Sequence, residues 1–73
     1  MKIISNETVS REGNECLIYK SVIVGYVEEA NTYIVTKLKW YVGSWTPHGV
    51  SSDCENYTDE YKALREAEEW LHA

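Results

Sequence analysis

Several features that would assign this 73-residue chain to a familiar class of protein are missing from its sequence. No apolar run approaches the roughly 20 residues that a membrane-spanning helix needs. The N-terminus turns polar at Ser5, which is too early for the apolar segment of a signal peptide. We therefore expect a cytoplasmic protein that has no contact with membranes. In that compartment Cys16 and Cys54 are expected to be free thiols, although a disulfide between them stays open.

Catalytic, metal-binding and phosphate-binding motifs are missing as well. His48 and His72 are the only histidines, and neither stands at a zinc-type spacing from another ligand. The four glycines are scattered, so they form no phosphate loop. A chain of this length has little room for a deep, dry pocket, because only about 60 % of its unfolded surface becomes buried. We expect a binding protein and not an enzyme, without a cofactor and without a metal.

Three extended segments and one helix are predicted, all within a single small domain over residues 1–73. A weak strand is expected at 2–9, a strong one rich in β-branched and aromatic residues at 16–27, and a third at 32–42. Residues 50–56 are expected to form a loop or one short extra strand. The predicted fold class is α+β, a three-stranded antiparallel β-meander with one C-terminal α-helix packed on a face, in the order β-β-β-α.

The third strand alternates between two kinds of side chain, which is typical of a sheet with one buried and one wet face. We expect the apolar set to face the core and the lysine-bearing set to face solvent. The apolar set is Ile34, Leu38, Trp40 and Val42. The lysine-bearing set is Lys37, Lys39 and Tyr41.

The helix is predicted to begin after Thr58 as its N-cap and to run to about His72. Asp59 and Glu60 would then stand in the first turn, where the helix dipole favours acidic residues. One apolar face is expected to pack against the sheet. It consists of Tyr61, Leu64, Ala67 and Leu71.

The net charge of −5 is concentrated at the end of the chain, where residues 53–73 carry seven acids and two bases. Glu66, Glu68 and Glu69 stand in the last helical turns, where the dipole disfavours carboxylates. They are either a solvated face that keeps the protein soluble or an acidic face that docks on a basic protein. Such a partner could itself handle nucleic acid, with the carboxylates standing where phosphates would bind.

The aromatic residues are three Trp and six Tyr, with no Phe, so every large ring has a polar tip. Tyr and Trp are enriched at protein interfaces. Trp40, Tyr61 and Trp70 are expected as core residues, whereas Tyr41 and Trp45 are candidates for partner contacts. The predicted partner-binding set is Glu66, Glu69, Glu68, Asp59, Trp45 and Tyr41.

Two alternatives remain open from the residues alone. Lys37, Lys39 and Lys20 could form a basic stripe on a nucleic-acid-binding sheet, although the acidic balance of the chain argues against phosphate contacts. A three-stranded sheet also has open edges that could pair, so both a monomer and a homodimer are possible.

The acidic C-terminal stretch from Thr58 to Leu71, following a short chain with a predicted β-meander, resembles the small accessory proteins of phages and prophages. Inhibitors of bacterial defence, including anti-CRISPR proteins, belong to this group. The resemblance implies an inhibitory protein–protein binder that acts in the host cytoplasm. It carries over no individual functional residue.

Overall fold

The computed structural model describes residues 1–43 and 51–73. The elements are β1 (Lys2–Glu12), β2 (Cys16–Val27), β3 (Thr32–Gly43), β4 (Ser51–Tyr57) and α1 (Glu60–Leu71). The strands form one antiparallel sheet in the order β1-β2-β3-β4. The α+β class with an antiparallel sheet and a C-terminal helix is confirmed.

The prediction of three strands was wrong, because the sheet has a fourth. β4 pairs with β3 from Tyr33 opposite Tyr57 to Lys39 opposite Ser51. Its sequence is rich in Ser, Asp and Asn, which have low strand propensity. The extended conformation of this segment therefore results from pairing with the long edge of β3 and not from its own composition.

The β2–β3 turn uses a backbone conformation that local chemistry explains. Asn31, at the β2–β3 turn, has φ 48°, and its main-chain N–H donates to the Glu28 carbonyl oxygen at 3.1 Å. Asn tolerates this left-handed region better than most residues. Near the N-terminus of β1 the register shifts between Ile3 and Ser5, which indicates a β-bulge.

The helix covers the lysine-bearing face of β3, so the predicted orientation of the sheet was wrong. Val35 is fully buried and Lys37 is 8 % exposed, whereas Val42 on the opposite face is 52 % exposed. Directly paired residues share a face, and β2 places Val22 and Val24 opposite Lys37 and Val35. Three valines in adjacent positions thus determine which face is buried. The core consists of Val22, Val24, Val35, Ala63, Ala67 and Leu71.

The helix begins one residue later than predicted. Asp59, and not Thr58, is the N-cap, and its Oδ1 accepts a hydrogen bond from the Tyr61 amide at 3.1 Å. Among the described residues no helix combines the length and the apolar character needed to cross a membrane. Cys16 and Cys54 are free cysteines.

Candidate protein-docking site

The three glutamates near the end of α1 do not form one face. Successive helical residues are rotated by about 100°, so Glu66 and Glu68, two residues apart, project from opposite sides of α1. Glu66 reaches Lys37 of β3 at 3.4 Å. Glu69 pairs with Arg65 at 3.0 Å on the exposed side of the helix. The expected contiguous acidic surface is therefore divided.

Lys37 occupies the contact between sheet and helix. Its ammonium binds Glu55 of β4 and Glu66 of α1. Burial lowers the pKa of Lys37, but hydrogen bonds and charges from the two carboxylates outweigh it, so the pKa lies above its ordinary value. Lys37 and Glu66, predicted for different partners, therefore bind each other and hold the helix on the sheet.

Lys20 of β2 binds the C-terminal end of the helix. Its Nζ donates to the main-chain oxygens of Trp70 at 3.1 Å and Ala73 at 3.3 Å, and it lies 5.0 Å from the centre of the Trp70 ring. The last turn of α1 has no basic residue of its own. A lysine from the sheet thus supplies the positive charge that the dipole favours there.

The basic stripe proposed for nucleic acid is consequently directed toward the protein itself. Lys20 and Lys37 contact α1, and Lys39 lies over the Tyr41 ring at 5.7 Å. Burial lowers the pKa of Lys20, and the nearby charges of Lys39 and Arg11 lower it further.

A groove runs between β1 and the adjacent flank of α1, and we call it the β1–α1 groove. Apolar side chains from both the sheet and the helix contribute to it, and Glu7 of β1 and Glu68 of α1 are among its acidic residues. Tyr61, predicted as a core residue, is instead 69 % exposed beside it. The lining consists of Ser5, Glu7, Val22, Tyr61, Leu64, Arg65, Ala67, Glu68 and Glu69.

Two carboxylates converge at this groove. One ligand atom each from Glu7, Glu68 and His72 lies within 4.8 Å of the others, and Nε2 of His72 is 3.0 Å from Oε1 of Glu68. One imidazole and two carboxylates are a donor set that divalent metals accept. All three side chains are exposed, and exposed acidic groups often gather in this way without an ion. The convergence is therefore best read as concentrated negative charge.

The remaining predicted contacts are distributed around the molecule. Asp59 is occupied as the helix N-cap, Tyr41 lies on the helix side of the sheet next to Lys39, and Trp45 falls outside the described residues. Sequence reasoning missed Glu7. Its position opposite Val22, on the buried face, would have indicated its approach to the helix.

No protein-family model matches the chain, and comparisons with curated proteins and with solved structures find no match either.

Proposed function

We propose that this chain is a non-enzymatic binding protein whose β1–α1 groove takes a basic, partly apolar segment of a protein partner. The observation that carries the proposal is the meeting of Glu7 and Glu68, from separate elements, beside apolar side chains and the exposed ring of Tyr61. Apolar contacts would supply affinity, and the two carboxylates would select Lys or Arg.

The exposed side-chain pairs along α1 near the groove leave its charge available to a partner. Arg65–Glu69 and His72–Glu68 are i,i+4 pairs with side chains more than half exposed. Exposed pairs of this kind contribute only about 0.3–0.5 kcal/mol, so a partner's cations can replace them at little cost. By contrast, Glu66 is committed to Lys37, and we leave it out of the docking site.

The partner that fits this chemistry is a protein with a basic surface, such as one that handles nucleic acid. Occupying that surface would exclude phosphates and inhibit the partner, which agrees with the resemblance to anti-CRISPR-type inhibitors. We place this action in a host cytoplasm, where the free Cys16 and Cys54 would remain reduced.

The test compares two charge-reversed double variants that change the net charge equally. Glu7→Lys/Glu68→Lys alters the groove, and Glu28→Lys/Glu29→Lys alters two exposed acids at the β2–β3 turn. The partner is captured from a bacterial lysate with the natural chain and identified by mass spectrometry. Its affinity for each variant is then measured by calorimetry.

We expect the groove variant to bind at least roughly tenfold more weakly, equivalent to about 1.4 kcal/mol, and the turn variant to bind nearly as the natural chain does. Raising the salt concentration should weaken binding of the natural chain. Equal losses in the two variants would mean that only net charge matters, and the groove would then not be the docking site.

A further inference from the structure

Charge is segregated between the two faces of the sheet. Pairing register assigns each strand residue to the helix side or to the opposite side, which we call the open face. Among charged residues in the strands, only Glu12 lies on the open face. The helix side carries Lys2, Glu7, Arg11, Lys20, Lys37, Lys39, Asp53 and Glu55.

The open face is apolar and aromatic along β2 and β3. Leu17 and Val42 are paired at one end and are 39 % and 52 % exposed. Next to them Tyr19 and Trp40 stack, with ring centroids 5.3 Å apart and planes 6° apart. The stripe continues with Leu38, Ile23 and Ile34. A centre depleted of charge and rich in aromatic rings is the composition of a protein interface.

We propose that the open face binds the open face of a second copy of this chain, forming a two-fold symmetric sandwich of two sheets. The sheets would pack about 10 Å apart with their strands roughly aligned. An isologous interface brings the same patch of both copies together. Any charge within the patch would therefore lie close to the identical charge of the second copy and be repelled by it. The open face avoids such repulsion because Glu12, its single charged strand residue, lies at the end of β1.

Charge and area both favour a second copy as the occupant. Each chain carries −5, so contact through the acidic helix side would bring like charges together, whereas the open face avoids this. The molecule measures 44 × 19 × 15 Å. Its broad face therefore offers on the order of 800 Å², the area that each partner contributes to an interface of standard size. Both β1–α1 grooves would remain outside the sandwich, so the inference does not depend on the proposed function.

The first test is the mass in solution. Sedimentation equilibrium over a series of protein concentrations should approach twice the 8.4 kDa of one chain. Leu38→Lys, which places a charge in the middle of the open face, should weaken dimerisation at least roughly tenfold. Ala30→Lys adds the same charge at an exposed position of the β2–β3 turn, outside the groove, and should leave the mass unchanged. Circular dichroism checks that both variants are folded.

The second test locates the interface with the two cysteines as probes. Cys54 is exposed on the open face beside Thr36, with Sγ and Oγ1 3.7 Å apart, whereas Cys16 lies on the helix side. Alkylation of Cys54 by iodoacetamide should slow at protein concentrations that favour the dimer, and alkylation of Cys16 should not. In Leu38→Lys the rate at Cys54 should stay constant.

Two outcomes would overturn the proposal. One is a monomer at every concentration, which would leave the open face for a different protein. The other is a doubled mass with unchanged alkylation of Cys54, which would indicate pairing through the β1 edge. Salt separates this inference from the docking proposal, since added salt should strengthen or leave unchanged a contact between two acidic chains.

Discussion

Nζ of Lys37 lies 3.4 Å from Oε1 of Glu66, and this contact connects β3 to α1 across the buried face of the sheet. The same ammonium binds Glu55 of β4. One lysine thus joins β3, β4 and α1, three elements that follow one another in the sequence. The charge of Lys37 therefore has a structural role. Removing it should affect the free energy of unfolding more than it affects partner binding.

Replacing Lys37 with Ala should lower the free energy of unfolding by about 2 kcal/mol, because it leaves a cavity and two unpaired carboxylates. The loss is smaller than for a fully buried pair, since the Glu55 and Glu66 side chains are 37 % and 39 % exposed. Urea denaturation followed by tryptophan fluorescence measures it.

Two further variants separate charge from packing at this position. Lys37→Met keeps the aliphatic volume and should restore about half of the loss. Lys62→Met removes an exposed lysine of α1 and should change stability by less than about 0.5 kcal/mol. If Lys37→Ala and Lys62→Met were equally stable, the buried ion pair would contribute nothing.

Stability should decline at alkaline pH. The pKa of Lys37 is raised above 10.5 in the folded protein, so the unfolded chain releases this proton first and the stabilisation is lost as pH rises through the folded pKa. Burial raises the pKa of Tyr57, with further contributions from Glu55 and Glu66, and this acts in the same direction above pH 10.0. The pKa of Lys20 is lowered in the folded protein, so below pH 10.5 this group makes stability rise with pH.

The measurement is the free energy of unfolding in a pH series under reducing conditions, for the natural chain and for Lys37→Met. The natural chain should lose stability above about pH 10.5, and the variant should show a shallower decline. Identical slopes would exclude Lys37 as the responsible group.

The N-cap can be tested separately from the charge of Asp59. Asp59→Ala removes the acceptor of the Tyr61 amide and should cost about 1 kcal/mol, whereas Asp59→Asn keeps an acceptor and should cost much less. Thermal unfolding by circular dichroism distinguishes them. Thr58→Ala is the matched control at the neighbouring residue. A larger loss of stability in Thr58→Ala than in Asp59→Ala would indicate that Thr58 is the N-cap.

The contact of Lys20 with the end of α1 predicts a further loss of stability. Lys20→Met should lower the free energy of unfolding by about 1 kcal/mol, since two main-chain oxygens lose a charged donor. Hydrogen exchange should show faster opening of the last helical turn, with little change at the β2–β3 turn. Protection that is unchanged near Trp70 would argue against this capping role.

Local patterns predicted the α+β class, β2, β3 and the helix, because these segments have strong propensity and periodicity. The face of β3 that packs against the helix was not predictable from β3 alone. Alternation shows that there are two faces, but a lysine that is buried in the fold cannot be distinguished in the sequence from a lysine that faces solvent. Val35, adjacent to the lysines, was the available signal. Within the candidate site, the position of Glu66 and Glu68 on opposite sides of α1 followed from helical geometry, whereas the approach of Lys37 to Glu66 and of Glu7 to Glu68 depended on strand register.

Each strand of this sheet pairs with the strand that precedes or follows it in the sequence. No pairing has to wait for a distant segment, so closing each hairpin costs little chain entropy. The sheet can assemble progressively from β1 as the chain emerges during synthesis. α1 would then dock last, on a surface that the earlier strands have already completed.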